Sequence, residues 1–284
     1  MAEAVEPAVV VTGASRGIGR CIALTLAGHG FRVFAGVRRD HDGAALERDG
    51  EGRTVAVRLE VTDPVSIHAA VGRVTADAGP RGLAGLVNNA GIAVMGPTEQ
   101  VPVSTVEEIF RVNVYGTIAV TQAFLPLLRK GRGRLVNVSS GNGKIAFPFT
   151  GAYCGSKFAL EGISDTLRLE LAPWGIPVIV IEPGAFDTTM RAEGLRSWTE
   201  ARRSLAADAL ELYDGAHRRF SAMIASMDQS APSVQPVADT VLEALTTEEP
   251  ATRYPVGEDM KQLGPLLAMS DRERDAVLLG MMSR

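Results

Sequence analysis

The chain has 284 residues, of which 46% are hydrophobic and 22% charged, and its formal net charge is −4. This composition is typical of a folded protein with a large core, and without a basic excess we expect neither nucleic acid nor an acidic membrane surface as a partner. Two cysteines, Cys21 and Cys154, are too few for a disulfide framework or a Cys-based zinc site, so we interpret both as reduced packing residues. The N-terminal apolar run is too short for a signal peptide core or a membrane span. We therefore expect a cytoplasmic protein.

Short apolar runs, bounded by glycine, proline or asparagine, alternate with helical patterns along the chain. They are rich in valine and isoleucine, which is typical of strands buried on both faces. The alternation predicts a doubly wound, Rossmann-type α/β fold, in which helices cover both faces of a parallel sheet in three layers. The predicted strands cover residues 8–13, 32–37, 54–61, 83–91, 133–140, 176–184 and 251–257.

A single domain is expected over 1–284, since no linker or internal repeat divides the chain. Its core covers about 8–257, with a polar, alanine-rich helical insertion over about 187–235 and a tail over 258–284. Two local signals mark helix ends. Asp63 precedes Pro64 as an N-cap, and Gly30 closes the first helix.

The first predicted strand runs into the sequence TGASRGIGR, Thr12 to Arg20. Its glycines, Gly13, Gly17 and Gly19, would let the backbone approach a diphosphate at a helix N-terminus, where free N–H groups favour anions. The spacing G-x-x-x-G-x-G differs from the common G-x-G-x-x-G, and by itself it also fits a plain tight turn. The strand before it and the helix after it favour a dinucleotide site.

The end of the second strand indicates which dinucleotide binds. An acidic residue there would bind the adenosine ribose of NAD, but Gly36 occupies the expected position and Arg38 and Arg39 follow. With Arg16 of the glycine turn they offer guanidinium groups to a 2′-phosphate. The pattern favours NADP(H) over NAD(H), and exposed loop arginines without a ligand are the alternative.

The motifs together resemble the classical short-chain dehydrogenase/reductase family. They are TGASRGIG, NNAG (88–91), Asn113 in NVYG, Ser140 in VNVSS, YCGSK (153–157) and EPGAFDT (182–188), in the family's order and at its spacing. The resemblance covers about residues 8–257. YCGSKFALEG, LRLEL, PWGI and RYPVG are most similar to the subgroup of 17β-hydroxysteroid and retinol dehydrogenases.

Tyr153 and Lys157 lie four residues apart, so on a helix they share one face. A tyrosine has an ordinary pKa near 10 and needs help to exchange a proton at neutral pH; a nearby lysine and an oxidised nicotinamide would lower that pKa. The resemblance implies that Tyr153 is the general acid/base, that Lys157 also binds the nicotinamide ribose, and that Ser140, rather than Ser139, holds the substrate oxygen. It implies that the backbone of Asn113 anchors a water in a proton path. We further expect Gly155 to let this helix approach the cofactor closely.

The resemblance also implies which residues bind the cofactor. Thr188 would bind the carboxamide and Asp63 the adenine, although the N-cap role explains Asp63 equally well. Asn88 would steady the sheet edge. The cofactor-binding set is Gly13, Ser15, Arg16, Gly17, Ile18, Gly19, Arg38, Asp63, Asn89, Ala90, Gly91, Tyr153, Lys157, Pro183, Gly184 and Thr188.

Apolar residues beside the motifs suggest a lipophilic substrate in a pocket roofed by the 187–235 segment. The candidate pocket residues are Met95, Ile145, Phe147, Phe149, Phe186 and Met190. The histidines, His29, His41, His68 and His217, have no metal-site spacing, so we expect no metal and assign them to the surface.

The expected function is NADP(H)-dependent interconversion of a secondary alcohol and a ketone or aldehyde, with a small-molecule substrate and a homodimer or homotetramer as the assembly. A catalytically silent dinucleotide sensor or scaffold of the same fold is the alternative. A methyltransferase would leave Tyr153 and Lys157 without a role.

Overall fold

The computed structural model describes residues 6–283, and for residues 80 and 281–283 it describes the backbone only. The ends of the predicted 1–284 domain therefore lie outside the described residues. A seven-stranded parallel sheet has the order β3-β2-β1-β4-β5-β6-β7. This is the predicted doubly wound architecture. The strands are β1 Ala8–Val11, β2 Arg32–Val37, β3 Thr54–Arg58, β4 Gly85–Asn88, β5 Arg134–Val138, β6 Val178–Pro183 and β7 Arg253–Val256.

Helices cover both faces of the sheet and continue into the insertion and the tail. Within residues 6–283, no helix combines the length and apolarity that crossing a bilayer requires. The helices are α1 Gly17–Gly28, α2 Asp40–Asp49, α3 Pro64–Ala78, α4 Val103–Phe110, α5 Thr117–Gly131, α6 Gly151–Leu171, α7 Met190–Ala201, α8 Ala207–Gln229, α9 Gln235–Thr246, α10 Glu258–Ala268 and α11 Asp271–Ser283.

The valine-rich strands are buried on both faces because successive side chains point to opposite sides of a sheet. In β1, Val9 and Val11 join a core that includes Ile22 of α1 and Val241 of α9. Val10 joins the opposite core, with α3 and α5. These two cores fix both helical layers against the sheet.

Several strands are shorter than predicted, and the residues beyond their ends form the loops of the site. β4 ends at Asn88 instead of continuing to 91, because the next two backbone N–H groups, of Asn89 and Ala90, both donate to Thr12 Oγ1 at 3.0 Å. The loops after β1 and β4 are thereby joined where the strand order reverses, which is where doubly wound folds bind dinucleotides.

The local helix signals are confirmed. The Asp63 carboxylate accepts a hydrogen bond from the Val65 backbone N–H at 2.9 Å and caps α3. Gly30 follows the end of α1 with a φ of +85°, a left-handed conformation that glycine adopts without strain.

The insertion is helical as predicted, and α7 and α8 make up most of it. Its α7 packs through Trp198, which is 1% exposed, against the loop after β4. A side chain at Gly96 would collide with the Trp198 ring, so that glycine permits the contact. The predicted tail forms α10 and α11, and Met260 and Leu263 of α10 pack against Ile145.

Candidate active site

Tyr153 and Lys157 lie one turn apart in the first half of α6, as predicted. Their exposed fractions are 8% and 4%. Lys157 Nζ donates to the backbone carbonyl of Val138, at the end of β5, at 2.9 Å. It lies 5.8 Å from the centre of the Tyr153 ring. The end of β5 therefore holds the ammonium beside the phenol.

Ser140 follows β5 and lies opposite Tyr153. Its hydroxyl oxygen accepts a hydrogen bond from the Asn142 backbone N–H at 3.2 Å, which fixes the turn that carries it. Ser139 is buried with its hydroxyl facing away, towards Gly143 and Glu161. Ser140 thus lies on the side of Tyr153 and Ser139 on the side of Glu161, while the role of Ser140 in holding the substrate oxygen stays a prediction.

Burial dominates the acid–base properties of the pair. Removal of water from around the phenolate raises the pKa of Tyr153 to about 12, and interaction with the Ser140 hydroxyl opposes this change. Burial also lowers the pKa of Lys157 to about 8, and the charge of Glu161 opposes that change. The expected lowering of the Tyr153 pKa is therefore not produced by these side chains alone, because desolvation outweighs the hydrogen bond with Ser140.

Asn113 lies in a π-helical turn, Arg111–Gly116, between α4 and α5. Its side chain exchanges two hydrogen bonds of 2.9 Å with the backbone of Ile92 and donates to Ser156 Oγ at 3.0 Å. Its backbone carbonyl accepts from Thr117 Oγ1 at 3.0 Å. The structure thus shows Asn113 tying the loop after β4 to α6, while its role in a proton path stays a prediction.

Gly155 does not have the expected role. It lies between Tyr153 and Lys157 in sequence, but an added Cβ would meet the Phe110 ring at 3.6 Å, an ordinary contact. The glycine therefore faces α4 rather than the dinucleotide groove, because consecutive helical residues point in different directions.

The glycine turn fits a dinucleotide diphosphate. Gly13 has a φ of +64°, and an added Cβ would lie 2.8 Å from Ala90 Cα. A side chain at Gly19 would overlap the Gly13 carbonyl and the Asn89 amide. Helix α1 then begins with no side-chain cap and no acidic residue in its first turn, so its N-terminal N–H groups are free to bind an anion. Ser15 and Ile18 lie half-buried in the same turn.

The loops after β4 and β6 close on this turn. The Thr188 methyl group lies 3.7 Å from the position of an added Cβ on Gly17. Thr188, the predicted partner of the nicotinamide carboxamide, therefore lies beside the start of α1. Gly91 lies against Asn113. Pro183 ends β6, and the Gly184 N–H donates to the Val256 carbonyl at 2.9 Å. The cofactor residues predicted from three separate motifs thus share one edge of the sheet.

At the adenosine end, the arginines differ in what they bind. Arg39 bonds to Asp42 at 3.0 Å, and Arg16 forms an ion pair of 2.5 Å with Glu193 of α7. Arg38 is exposed and has no ion-pair partner within residues 6–283. Asp63 is exposed at its cap, where binding of adenine stays a prediction.

The pocket candidates separate into two groups. Met95 packs with Phe149, Phe220 and Ile224 under the insertion, and Phe149 has a φ of +64°. Met190 begins α7 half-buried.

On the other side, Ile145 and Phe147 pack against the C-terminal helices. Phe186 is 3% exposed and belongs to the core beneath the sheet edge. Ile145, at 2%, is equally inaccessible. Both are therefore packing residues in this conformation. Met95 is buried as well, at 5%, so Phe147, Phe149 and Met190 are the pocket candidates that keep some exposed surface.

The sequence did not predict some contacts around the site. His217 is buried rather than at the surface, with Nε2 3.2 Å from the Met95 carbonyl. Asp259 of α10 accepts a hydrogen bond from the Ala185 N–H at 2.8 Å, and a side chain at Gly184 would displace it. The one available signal was the helical spacing of His217 and Phe220, which places the histidine on the apolar face of α8.

The parallel sheet, the glycine cradle and the buried polar pair at the strand ends define a nicotinamide dinucleotide-binding oxidoreductase. The chain belongs to the short-chain dehydrogenase family, whose profile, described as short chain dehydrogenase, matches residues 7–198. The family's enzymes act on CH–OH donors. This confirms the resemblance seen in the motifs.

Curated relatives support the same subgroup. Mouse retinol dehydrogenase 5 is 36% identical, covering 97% of this chain and 89% of its own. Bovine mitochondrial D-beta-hydroxybutyrate dehydrogenase is 36% identical, covering 87% and 76%. Human 17-beta-hydroxysteroid dehydrogenase type 6 is 36% identical, covering 89% and 81%. The relatives therefore include enzymes named for lipophilic and for short polar substrates.

Among solved structures, a short chain dehydrogenase from Burkholderia cenocepacia, crystallised with NADP, is 27% identical and superimposes with a TM-score of 0.73. The alignment covers 96% of this chain and 98% of that one. The fold is therefore shared over nearly the whole length.

Proposed function

We propose that this protein is an NADP(H)-dependent oxidoreductase that interconverts a secondary alcohol and a ketone or aldehyde on a lipophilic substrate. The observation that carries the proposal is the buried Tyr153 and Lys157 pair, with Ser140 opposite the phenol. A dinucleotide sensor would have no use for a buried proton-transfer pair whose desolvation costs free energy.

Each side chain has a defined task in carbonyl reduction. Tyr153 donates its phenolic proton to the carbonyl oxygen as the alcohol forms, and Ser140 donates a hydrogen bond that holds this oxygen. Lys157 stabilises the phenolate that remains, because its ammonium lies beside the ring. A nicotinamide held at this site would supply the hydride in this direction and would accept it in the reverse one. In alcohol oxidation, Tyr153 accepts the proton.

The case for a lipophilic substrate depends on apolar side chains that follow the site motifs in sequence. Phe147, Phe149 and Met190 are apolar and only partly buried. Exposed apolar surface beside a polar reaction centre is typical of a pocket for an apolar ligand. The relatives named for retinol and steroids support this choice, whereas the relative named for hydroxybutyrate supplies the comparison that a test requires.

A substrate panel tests the proposal. With NADPH, we expect kcat/KM for steroid, retinoid and long-chain carbonyls to exceed that for acetoacetate by about tenfold or more, because each buried CH₂ contributes about 0.8 kcal/mol. The measurement is the loss of reduced-nicotinamide absorbance. A preference for acetoacetate would contradict the lipophilic assignment, and no turnover of any carbonyl would favour the sensor.

Cofactor choice is expected to depend on Arg38. Arg38→Ala should reduce the preference for NADPH over NADH by about tenfold, because a hydrogen bond to a charged group contributes about 1.5–3 kcal/mol. Arg39→Ala is the matched control, since its guanidinium is already bonded to Asp42. Dissociation constants from nicotinamide fluorescence measure both. Equal affinities of the unmodified protein for NADPH and NADH would contradict the proposal.

The homodimer or homotetramer also stays a prediction, and a groove with half-buried apolar residues supports it. The groove lies between α5 and α6, where Ile118, Leu125, Ile163 and Leu167 line it together with polar side chains that include Gln122 and Glu170. Apolar surface of this kind marks interaction sites. Cytoplasmic placement likewise stays a prediction.

A further inference from the structure

Glu161 is a buried acid that the proposed reaction does not use. It lies one turn after Lys157 on α6, and its exposed fraction is 6%. Helical residues four apart are neighbours on one face, with Cβ atoms about 5–6 Å apart. A buried carboxylate and a buried ammonium thus lie on one face of α6.

The segment from the end of β5 to Gly143 lies beside both charged side chains. Lys157 donates to the Val138 carbonyl, and the next residue, Ser139, faces the carboxylate across Gly143. An added Cβ on Gly143 would lie 2.8 Å from Ser139 Oγ and 3.3 Å from Glu161 Oε1. Both charged side chains therefore lie against the same short piece of backbone.

The Glu161 carboxylate is held on one oxygen only. Its Oε2 accepts from Arg253 Nε at 3.1 Å, whereas its Oε1 has no hydrogen-bond partner among the described residues. An incompletely bonded buried carboxylate is costly unless a nearby cation compensates it.

The charged groups around Glu161 come from each element packed against it. They include Glu182, a second buried acid, whose Oε1 lies 3.3 Å from Arg253 Nε and 4.0 Å from Lys144 Nζ. The set is Lys157 and Asp165 of α6, Glu182 of β6, Arg253 of β7 and Lys144 of the loop after β5.

We propose that Glu161 is a positioning residue that keeps the Lys157 ammonium charged, and that Arg253 holds its carboxylate in place. The inference deepens the proposed function and rests on it, because the charge of Lys157 matters only if Tyr153 transfers the proton. Glu161 itself touches neither substrate nor cofactor. It acts through Lys157.

Burial and the charge of Glu161 act in opposite directions on Lys157. Burial lowers the pKa of Lys157 to about 8, and Glu161 is the charge that opposes the decrease. If that negative charge were removed, the pKa of Lys157 would fall further, towards neutral pH. Lys157 would then lose its proton at a lower pH, and Tyr153 would lose its stabilising cation there.

The test compares Glu161→Gln with Asp165→Asn. Carbonyl reduction needs the protonated form of the Tyr153 and Lys157 pair, so the pH at which kcat/KM falls by half on the alkaline side should decrease in Glu161→Gln by about one unit or more. Asp165→Asn is the matched control. Asp165 also bonds to Arg253, at 2.7 Å, but its side chain is 44% exposed, so the midpoint should stay unchanged.

A readout independent of turnover separates this inference from the proposed function. The chain has four lysines, Lys130, Lys144, Lys157 and Lys261, so ¹³C-labelled lysine side chains can be titrated by NMR, with Lys157→Met assigning the signal. A lower Lys157 pKa in Glu161→Gln supports the inference even if no carbonyl is reduced.

An unchanged Lys157 titration in Glu161→Gln would overturn the inference. A merely structural role would lower the amount of active protein and the rate at every pH, but it would leave the midpoint where it was. Equal shifts of the alkaline midpoint in Glu161→Gln and Asp165→Asn would also contradict the inference. Both carboxylates bond to Arg253, so equal shifts would assign the effect to Arg253.

Discussion

Tyr153→Phe is expected to lower kcat for carbonyl reduction by about 10²–10⁴-fold, the usual contribution of a positioned acid or base. The change removes one oxygen and keeps the ring. Because Tyr153 is only 8% exposed and the ring remains, the packing of α6 should be retained. Single-turnover reduction with excess enzyme measures the chemical step. NADPH affinity should change much less than the rate, since the lost group transfers a proton.

The matched control is Tyr254→Phe. Its hydroxyl accepts a hydrogen bond from the Ala251 N–H at 3.0 Å, beside β7 and away from the site, so it reports the cost of losing a phenol oxygen in general. Turnover that survives in Tyr153→Phe would contradict the acid/base role. It would leave the fold and the family membership untouched.

Gly19→Ala is expected to weaken NADPH binding by about tenfold to a hundredfold. The new Cβ would overlap the Gly13 carbonyl and the Asn89 amide, and neither can move without displacing the turn, because Asn89 Nδ2 also bonds to the Thr12 carbonyl at 3.0 Å. Overpacking of this kind costs about 1–3 kcal/mol, and each 1.4 kcal/mol is a factor of ten in affinity. Titration of nicotinamide fluorescence measures the change.

Gly28→Ala is the control in the same helix. Gly28 is exposed near the end of α1, and an added Cβ meets nothing within 4 Å. We expect unchanged NADPH affinity and a small gain in stability, since alanine favours a helix over glycine by about 1 kcal/mol. Equal affinities of Gly19→Ala and Gly28→Ala for NADPH would show that the cradle does not depend on the close contact.

The sequence predicted the local structure well at positions where the backbone geometry requires one residue type. Gly13 and Gly17 both have positive φ values at the turn where glycine was expected to be needed, and Tyr153 and Lys157 follow from helical spacing. Phe186 and Ile145 show the opposite case. Both are apolar residues beside a motif, and sequence alone does not distinguish a pocket wall from a packed core, because burial of either kind selects the same side chains.

The end of β4 shows a second limit on what the sequence alone can predict. Residues 89–91 read as part of an apolar run, yet β4 ends at Asn88 because the Thr12 hydroxyl, from another strand, takes the next two N–H groups. The competing partner is 77 and 78 residues away in sequence, so no local pattern indicates it.

By itself, the sequence determined the alternation of strands and helices, the order of the motifs and therefore the family. These depend on periodicity and on short-range backbone requirements, both of which can be recognised within a few residues. The tertiary structure decided how charges and cores are shared between distant elements: Arg16 with Glu193, Trp198 against Gly96, and Glu161 between Lys157 and Arg253. Such pairs depend on which elements become neighbours in space. At Lys157, burial by these neighbours lowers the pKa and the charge of Glu161 opposes the decrease.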